Sequence, residues 1–406
     1  MDDDAIAWER ERMPVVAALR ETYRETEPLS GLTVGVASHL EQTTGVYAEA
    51  LSAAGADVLL TANDAGSIEA SVVAEFEARD DCEVFAREAM DDEALSAAHL
   101  ELLDGDPDLL LDDGAVLLAK AHTERPELAA GLVGACEQTT SGVHRVEAMA
   151  DDGTLACPVY EVNHARMKWN FDNVHGTGES ALANLMLTTN DVVAGTTVVV
   201  AGYGHVGRGI ADKARDLGAR TVVCEVDPCA AMEAHVQGHR VAPLAEAVAD
   251  ADVVVTATGD TEVVRAEHLG RLPDNVLLAN AGHFDVEIDL EALAAAADRT
   301  TTPRPGITRH HTPDGRRINL LSEGRLVNLA GPKSEGHPAE VMDITFAVMT
   351  RAAVALVERD LPPGVHGVPA AVDREVAERK LAALGLEHDE LTDTQEAYLS
   401  SWRREW

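Results

Sequence analysis

The most specific chemistry in this chain is carried by a glycine pattern. The run Val198-Val-Val-Ala-Gly-Tyr-Gly-His-Val-Gly-Arg-Gly209 contains Gly202-x-Gly204-x-x-Gly207. A strand-like segment, Thr197 to Ala201, leads into it, and a helical pattern from Ile210 to Leu217 follows. A second apolar strand, Thr221 to Cys224, then ends at Glu225. In that order the residues read as a dinucleotide site. Gly202 permits a tight turn, Gly204 lets the backbone approach a pyrophosphate, and Gly207 lets helix and strand pack closely. The free amides around His205 and Val206, with the positive end of the helix dipole, suit phosphates. Glu225 stands where an acid grips the adenosine ribose diol, which favours NAD over NADP.

Other candidates are ambiguous on local sequence. Lys168 and Asp172 lie four residues apart and could share one face. That spacing fits a surface ion pair as well as a catalytic pair. Asp113 follows an apolar strand and precedes Gly114, which reads locally as a turn. His39 alone reads as a loop histidine. Thr139, Thr140 and Ser141 occupy a predicted helix start, where capping and ligand contact can coexist. The cysteines (Cys82, Cys136, Cys157, Cys224 and Cys229) are scattered without metal-ligand spacing. Neither a disulfide framework nor a metal site is expected.

These residues need a scaffold, and 406 residues with 46% apolar content supply two or three domains' worth. Strand and helix patterns alternate. Strands are expected at Leu32–Ala37, Ala56–Thr61, Leu109–Leu111 and Leu132–Val133. Helices are expected over residues 1 to about 26, then at Glu41–Ala54, Ile68–Ala78, Ala94–Leu103 and Thr139–Ala150. The helix from about Glu179 to Leu187 leads into the nucleotide-binding half, which continues with strands at Val253–Thr256, Asn275–Asn280 and Ile318–Leu321. Pro303–Arg317 reads as a loop or hairpin, and Ala339–Glu358 as a helix returning to the first half. The expected class is α/β, with a Rossmann NAD-binding domain (181–334) inserted into a larger, discontinuous α/β substrate-binding domain (1–180 and 335–390), followed by a short tail (391–406). Ligands in such sheets lie beyond the carboxyl ends of the strands, so the cleft between the domains is the expected site.

Composition excludes other classes. Acids number 71 against 32 Lys plus Arg, a net charge of −39. Such a surface repels itself in dilute salt and is screened in concentrated salt, which reads as adaptation to a salt-rich cytoplasm. It argues against nucleic-acid binding, which wants basic stripes. No apolar run reaches membrane-spanning length, and Met1-Asp-Asp-Asp lacks the basic start of a signal peptide. A cytoplasmic protein without a membrane partner is expected.

Several longer motifs carry a family resemblance. Lys168-Trp-Asn-Phe-Asp-Asn173 running on to Glu179-Ser180 resembles the K-x-x-F-D-N-x-x-G-x-x-E-S signature of the S-adenosyl-L-homocysteine hydrolase family. Glu137-Gln-Thr-Thr-Ser-Gly-Val-His144, Ala201 to Gly209, Asn280 to Asp289, Glu323 to Leu329 and Gly336-His-Pro338 resemble further family segments. The resemblance runs from about Gly31 to Leu399. It implies hydrolysis of a nucleoside thioether by a redox route, using tightly held NAD. By resemblance Lys168 takes the ribose 3′-hydroxyl proton, Asp172 holds the ribose hydroxyls and Asn173 faces the cofactor. Asp113, helped by His39, works at C4′ and the leaving group. His283 lies near the ribose and His337 near the homocysteine or the domain hinge. Thr139, Thr140 and Ser141 would meet the nicotinamide end, Asn328 its carboxamide, and Gly282 the cofactor side. A homotetramer is implied in the same way.

The chain also departs from the family pattern. Gln138 stands where the family has a second Glu. His39-Leu-Glu41-Gln-Thr43-Thr44 replaces His-x-Thr-x-Glu-Thr, and Asn63-Asp-Ala-Gly-Ser-Ile-Glu69 replaces Asn-x-x-Ser-Thr-Gln-Asp. Glu41, Thr43 and Gln138 are therefore the substrate-side residues on which base preference turns. Adenine and hypoxanthine, as in S-inosyl-L-homocysteine, both remain open, as does a catalytically silent NAD-binding paralogue. The tail resembles the shorter archaeal and thermophilic-bacterial type, without the family's Lys- and Tyr-bearing extension.

Overall fold

The computed structural model describes residues 6–79, 81–332, 334 and 336–403. Two sheets organise them. The first contains β1 (Thr33–Ser38), β2 (Asp57–Ala62), β3 (Cys82–Val84), β4 (Leu109–Asp112), β5 (Gly134–Glu137) and β6 (Pro158–Glu161). The second contains β7 (Thr197–Ala201), β8 (Arg220–Cys224), β9 (Arg240–Val241), β10 (Val253–Thr256), β11 (Val276–Asn280), β12 (Arg299–Arg304), β13 (Ile307–His311) and β14 (Arg317–Leu321). A last strand, β15 (Gly364–Gly367), returns to pair with β6. The orders are β15-β6-β5-β4-β1-β2-β3 and β12-β13-β14-β11-β10-β7-β8-β9. Every pairing is parallel except those of β13 with its two neighbours. The molecule is thus α/β, with a Rossmann-type second lobe whose strands lie between segments of the first.

Strands covered by helices on both faces lose the alternating pattern and become apolar runs. Val198, Val199 and Val200 of β7 are fully buried in this way. The helix Ala339–Val357 packs on the first sheet and buries Phe346, whose ring stacks on Tyr47 at 4.4 Å between centroids. That helix and β15 carry the chain back to the first lobe.

Some expectations shift. The expected strand at Leu132–Val133 lies at Gly134–Glu137. Gly134 sits where a Cβ would press on Leu356 and on the Pro158 carbonyl, both at 2.7 Å. The small Gly-Ala-Cys sequence that allows this contact hides the strand from an apolar-pattern search. The expected amino-terminal helix is two helices, Ala7–Arg12 and Pro14–Thr26, because Pro14 has no amide hydrogen to continue the first; residues 1–5 lie outside the described residues. Pro303–Arg317 contains the hairpin loop between β12 and β13 together with β13 itself. The helix expected from Glu179 starts earlier. Arg166–Trp169 runs through a π-wound segment, Asn170–Thr177, into Gly178–Thr189. Gly209 lets this segment approach the helix His205–Asp216, since a Cβ there would overlap the Val174 carbonyl.

Candidate active site

The carboxyl ends of the parallel strands of both lobes face one cavity of about 1110 Å³. His39 follows β1, Asp113 follows β4 and Gln138 follows β5; Gly202, Glu225 and Gly282 follow β7, β8 and β11. The two sheets therefore present their switch-point loops to each other across the cleft.

Lys168 lies within it, only 3% exposed. Its Nζ donates to Asn163 Oδ1 at 3.2 Å, Asp172 Oδ1 at 3.0 Å and Asn173 Oδ1 at 3.0 Å. Three acceptors match the three hydrogens of an ammonium. The π-wound stretch begins just after Lys168 and presents acceptors at both the fourth and the fifth following residues. Such windings recur at functional sites. Asp172 Oδ2 accepts from Thr345 Oγ1 at 2.9 Å and lies 3.6 Å from His337 Nδ1. Burial pushes the Asp172 carboxyl up, but Lys168 and His337 outweigh it and hold it below the usual carboxylate range. His337 Nε2 is 3.1 Å from Thr177 Oγ1.

A second group surrounds Asp113. Its Oδ2 accepts from Gln138 Nε2 at 2.8 Å, while Oδ1 has no hydrogen-bond partner. His39 Nε2 lies 3.8 Å from Oδ2, and His283 Nδ1 lies 3.8 Å from Oδ1. Burial lowers the His283 pKa; the Asp113 charge opposes that and His39 adds to it. Gln138 thus reaches Asp113 and supplies a donor there. A carboxylate in its place would set two like charges against each other.

Glu137 has a scaffolding task. Its carboxylate accepts from the amides of Gly114, Ala115 and Thr139 and from the Thr139 hydroxyl. This ties the turn after β4 to the start of the helix Thr140–Asp151. Thr139 also caps that helix through Gly142 N, at 3.2 Å. Thr140 accepts from Asn163, which links the lysine group to the helix start. Ser141 lines the cavity beside them.

On the nucleotide side the three glycines divide the work that their spacing implies. Gly202 has φ +96°, and a Cβ on it would lie 2.6 Å from the Ala257 carbonyl. Gly204 faces open space, as a close ligand approach requires. A Cβ on Gly207 would overlap the Gly202 carbonyl. Glu225 is held at the rim by the amides of Tyr203, Val226 and Asp227. His205 stacks on Trp169 at 4.4 Å, and burial, aided by Arg208, pushes its pKa down to about 4. Val206 lines the cavity. Gly282 leaves room for Glu287, whose carboxylate accepts from the amides of Thr258 and Gly259. Asn328 Oδ1 is buried without a partner on a side chain that lines the cavity. An open glycine turn, an acid at the end of the next strand and an orphaned amide oxygen all fit a dinucleotide.

Glu41 lines the cavity against Gly336, where a Cβ would overlap its carboxylate. Burial, with Asp113 nearby, raises its pKa to about 8. Thr43 does not join it. The helix Gln42–Ala53 is buried over Thr43–Leu51, and the Thr43 hydroxyl is enclosed without a partner, away from the cavity lining. Asn163 and Thr345 escaped sequence reasoning. Asn163 lies five residues before Lys168 on a different turn, and Thr345 lies 173 residues from Asp172. Among the described residues there is no group of three or more potential metal ligands, and no helix is long and apolar enough to cross a membrane.

A dinucleotide fold facing a buried lysine and a carboxylate–histidine group defines an NAD-dependent α/β enzyme. Family models narrow this: residues 173–334 match the NAD-binding domain of S-adenosyl-L-homocysteine hydrolase, and residues 3–124 match the S-adenosyl-L-homocysteine hydrolase model. S-inosyl-L-homocysteine hydrolase of Methanopyrus kandleri is 46% identical over 402 residues, covering 98% of this chain and 94% of that protein. Adenosylhomocysteinase of Halobacterium salinarum is 45% identical over 400 residues, covering 98% and 94%. Adenosylhomocysteinase of Thermotoga maritima is 43% identical over 400 residues, covering 98% of each chain. The chain belongs to the S-adenosyl-L-homocysteine hydrolase family.

Proposed function

We propose that this enzyme hydrolyses S-adenosyl-L-homocysteine to adenosine and homocysteine, reversibly, with NAD as its resident cofactor. The observation that carries the reading is the buried Lys168 amine, held by Asn163, Asp172 and Asn173 across the cleft from the glycine turn. The cofactor would supply hydride acceptance and return at the sugar C3′. Lys168 would take the 3′-hydroxyl proton once its own proton has left, while Asp172 and Asn173 orient the diol. Asp113, with His39 beside it, would move the proton at C4′ and the one needed by the departing sulfur. Gly202, Gly204 and Gly207 would shape the pyrophosphate turn. Glu225 would hold the adenosine ribose, and Thr139, Thr140, Ser141 and Asn328 the nicotinamide end.

One observation admits S-inosyl-L-homocysteine as the alternative substrate. Below about pH 8 Glu41 is a neutral acid, with one donor and one acceptor. Such a group can pair with N1 and the exocyclic amine of adenine, or with O6 and N1–H of hypoxanthine. A carboxylate can only accept. The test supplies each thioether to the NAD-loaded enzyme in molar KCl and measures free thiol. Release from the adenosyl compound supports the first reading, and release from the inosyl compound alone supports the second. Silence with both, NAD being bound, would leave a regulatory protein.

The acidic surface supports life in a salt-rich cytoplasm, with a melting temperature that rises between dilute and molar KCl. The helix Asp393–Ser400 buries no side chain of its own, and Leu391, Tyr398 and Leu399 beside and within it are exposed. A two-turn helix draws most of its stability from packing against other elements. This supports association of copies of the chain, with a tetramer as the expected mass in light scattering.

A further inference from the structure

We propose that Ser67 is a positioning residue that fixes the His39 imidazole as its Nδ1–H tautomer, so that Nε2 is the atom able to accept a proton from Asp113. The inference rests on the reading of Asp113 and His39 as a proton-handling pair. Ser67 Oγ lies 2.8 Å from His39 Nδ1 and 3.0 Å from the Asp64 backbone carbonyl oxygen. A carbonyl oxygen only accepts, so the single hydroxyl hydrogen goes to Asp64. Oγ must then accept from the imidazole, which puts the ring hydrogen on Nδ1.

A separate contact agrees. Asn63 Nδ2 lies 3.4 Å from the Asp113 carbonyl oxygen, which requires an N–H at that amide position. The same nitrogen lies 3.4 Å from His39 Nε2. A donor facing Nε2 calls for a lone pair there. Both hydrogen-bonding arguments therefore select one tautomer of the neutral ring.

The backbone holds Ser67 in place. Leu40 N donates to Ser67 O at 2.9 Å, and Leu40 and Ile68 form a parallel bridge. Ser67 N donates to the Asp64 carbonyl, closing a turn. The segments following β1 and β2 are thus stitched together with the hydroxyl against the ring. The charged or titratable groups around His39 are Asp113 at 3.8 Å, His283 with ring centroids 6.1 Å away, and Asp64 and Glu41 in the flanking loops. In the transfer His39 Nε2 and Asp113 Oδ2 close from 3.8 Å to hydrogen-bond distance, and the O–H bond of the Asp113 carboxyl breaks as an N–H bond forms at Nε2. The products are a carboxylate and an imidazolium, and the reverse step restores both. A ring carrying its hydrogen on Nε2 has no lone pair to offer Asp113.

The test uses NAD-loaded enzyme labelled with 15N in histidine, with the His39→Asn variant assigning the resonance. Where the ring is neutral, the wild type should show Nδ1 protonated and Nε2 bare. Ser67→Ala should give a mixed or reversed tautomer and a kcat lower by roughly tenfold, the order expected for one lost net hydrogen bond, with KM little changed. Ser67→Thr should restore both. A wild-type ring protonated at Nε2 overturns the proposal, as does a Ser67→Ala enzyme with unchanged tautomer or unchanged kcat. Should Ser67→Ala fail to fold, the wild-type spectrum and Ser67→Thr decide the matter. The spectrum needs no substrate, so an inert wild-type enzyme would sink the proposed activity and leave the tautomer measurement standing.

Discussion

On the nucleotide side of the cleft the working surface is backbone; on the opposite side it is side chains. Gly202, Gly204 and Gly207 act by what they lack, and their neighbours within the same short turn and at Ala257 set the fit. The opposite face draws Lys168, Asp113, His39, Gln138 and Thr345 from five separate segments and ties them together through hydrogen bonds, leaving Asp113 Oδ1 unpartnered. A backbone site tolerates almost any side chain that does not protrude into it. A side-chain site fails one group at a time, by an amount set by how that group is used.

Substitutions on the two faces should therefore differ in kind. The largest effect is expected from Lys168→Ala. It should keep NAD bound but lower the NADH absorbance burst on mixing with substrate by about 10²- to 10⁴-fold, the range for a lost general base. A normal burst would remove the residue from the chemistry. Gly207→Ala comes next and should act through structure. The added methyl meets the Gly202 carbonyl, overpacking that typically costs about 1–3 kcal/mol. The purified protein should melt lower and lose cofactor on dialysis. Normal NAD retention would show that the turn can relax.

Thr345→Val sharpens the comparison, because it removes one donor and keeps the shape. The Asp172 Oδ2 atom then loses its hydrogen bond and keeps only His337 Nδ1, 3.6 Å away, a cost of roughly 1.5–3 kcal/mol for a hydrogen bond to a charged group. About a tenfold fall in kcat is expected, rescued by Thr345→Ser, with NAD affinity unchanged. Equal damage from valine and serine would refute a role through the hydroxyl. The smallest effect is expected from Glu41→Gln. The Glu41 pKa is raised to about 8, so the wild-type acid is neutral below that pH and ionised above it. Nucleoside affinity that depends on its hydrogen should fall as pH rises through about 8, while the Gln variant stays flat. The stability sign is the same: a raised carboxyl pKa favours the fold fully below the usual carboxylate range, and this advantage is lost by about pH 8. The Gln variant should accordingly gain stability over wild type at alkaline pH. Parallel pH profiles for the two proteins would place Glu41 away from the base.

Legibility followed the same division. The turn after β7 could be read because strand, glycines, helix and acid are contiguous, and each spacing has a local steric meaning. The Lys168–Asp172 pair could be seen but not interpreted, since an exposed pair has the same spacing. Asp113 read as a turn residue because nothing nearby in sequence announces His39, Gln138 or His283. Thr43 and Glu41 are two residues apart and were expected together. Helix burial enclosed one and left the other in the cavity. The π winding after Lys168 had no signal in the apolar pattern, and the segment it shapes packs against Gly209 of a helix more than thirty residues away.

What the amino-acid order determined by itself was the α/β alternation and the nucleotide turn, because both arise from interactions within a few residues. What only the folded molecule decided was which polar groups share hydrogens. Asp113 accepts from Gln138, Asp172 from Lys168 and Thr345, and the His39 ring faces Ser67 and Asn63. Those pairings require β1, β2, β4, β5 and a helix near the far end of the chain to converge on one cleft. Hydrogen bonds act over about 3 Å, so their partners are set by where the sheets end and not by distance along the chain.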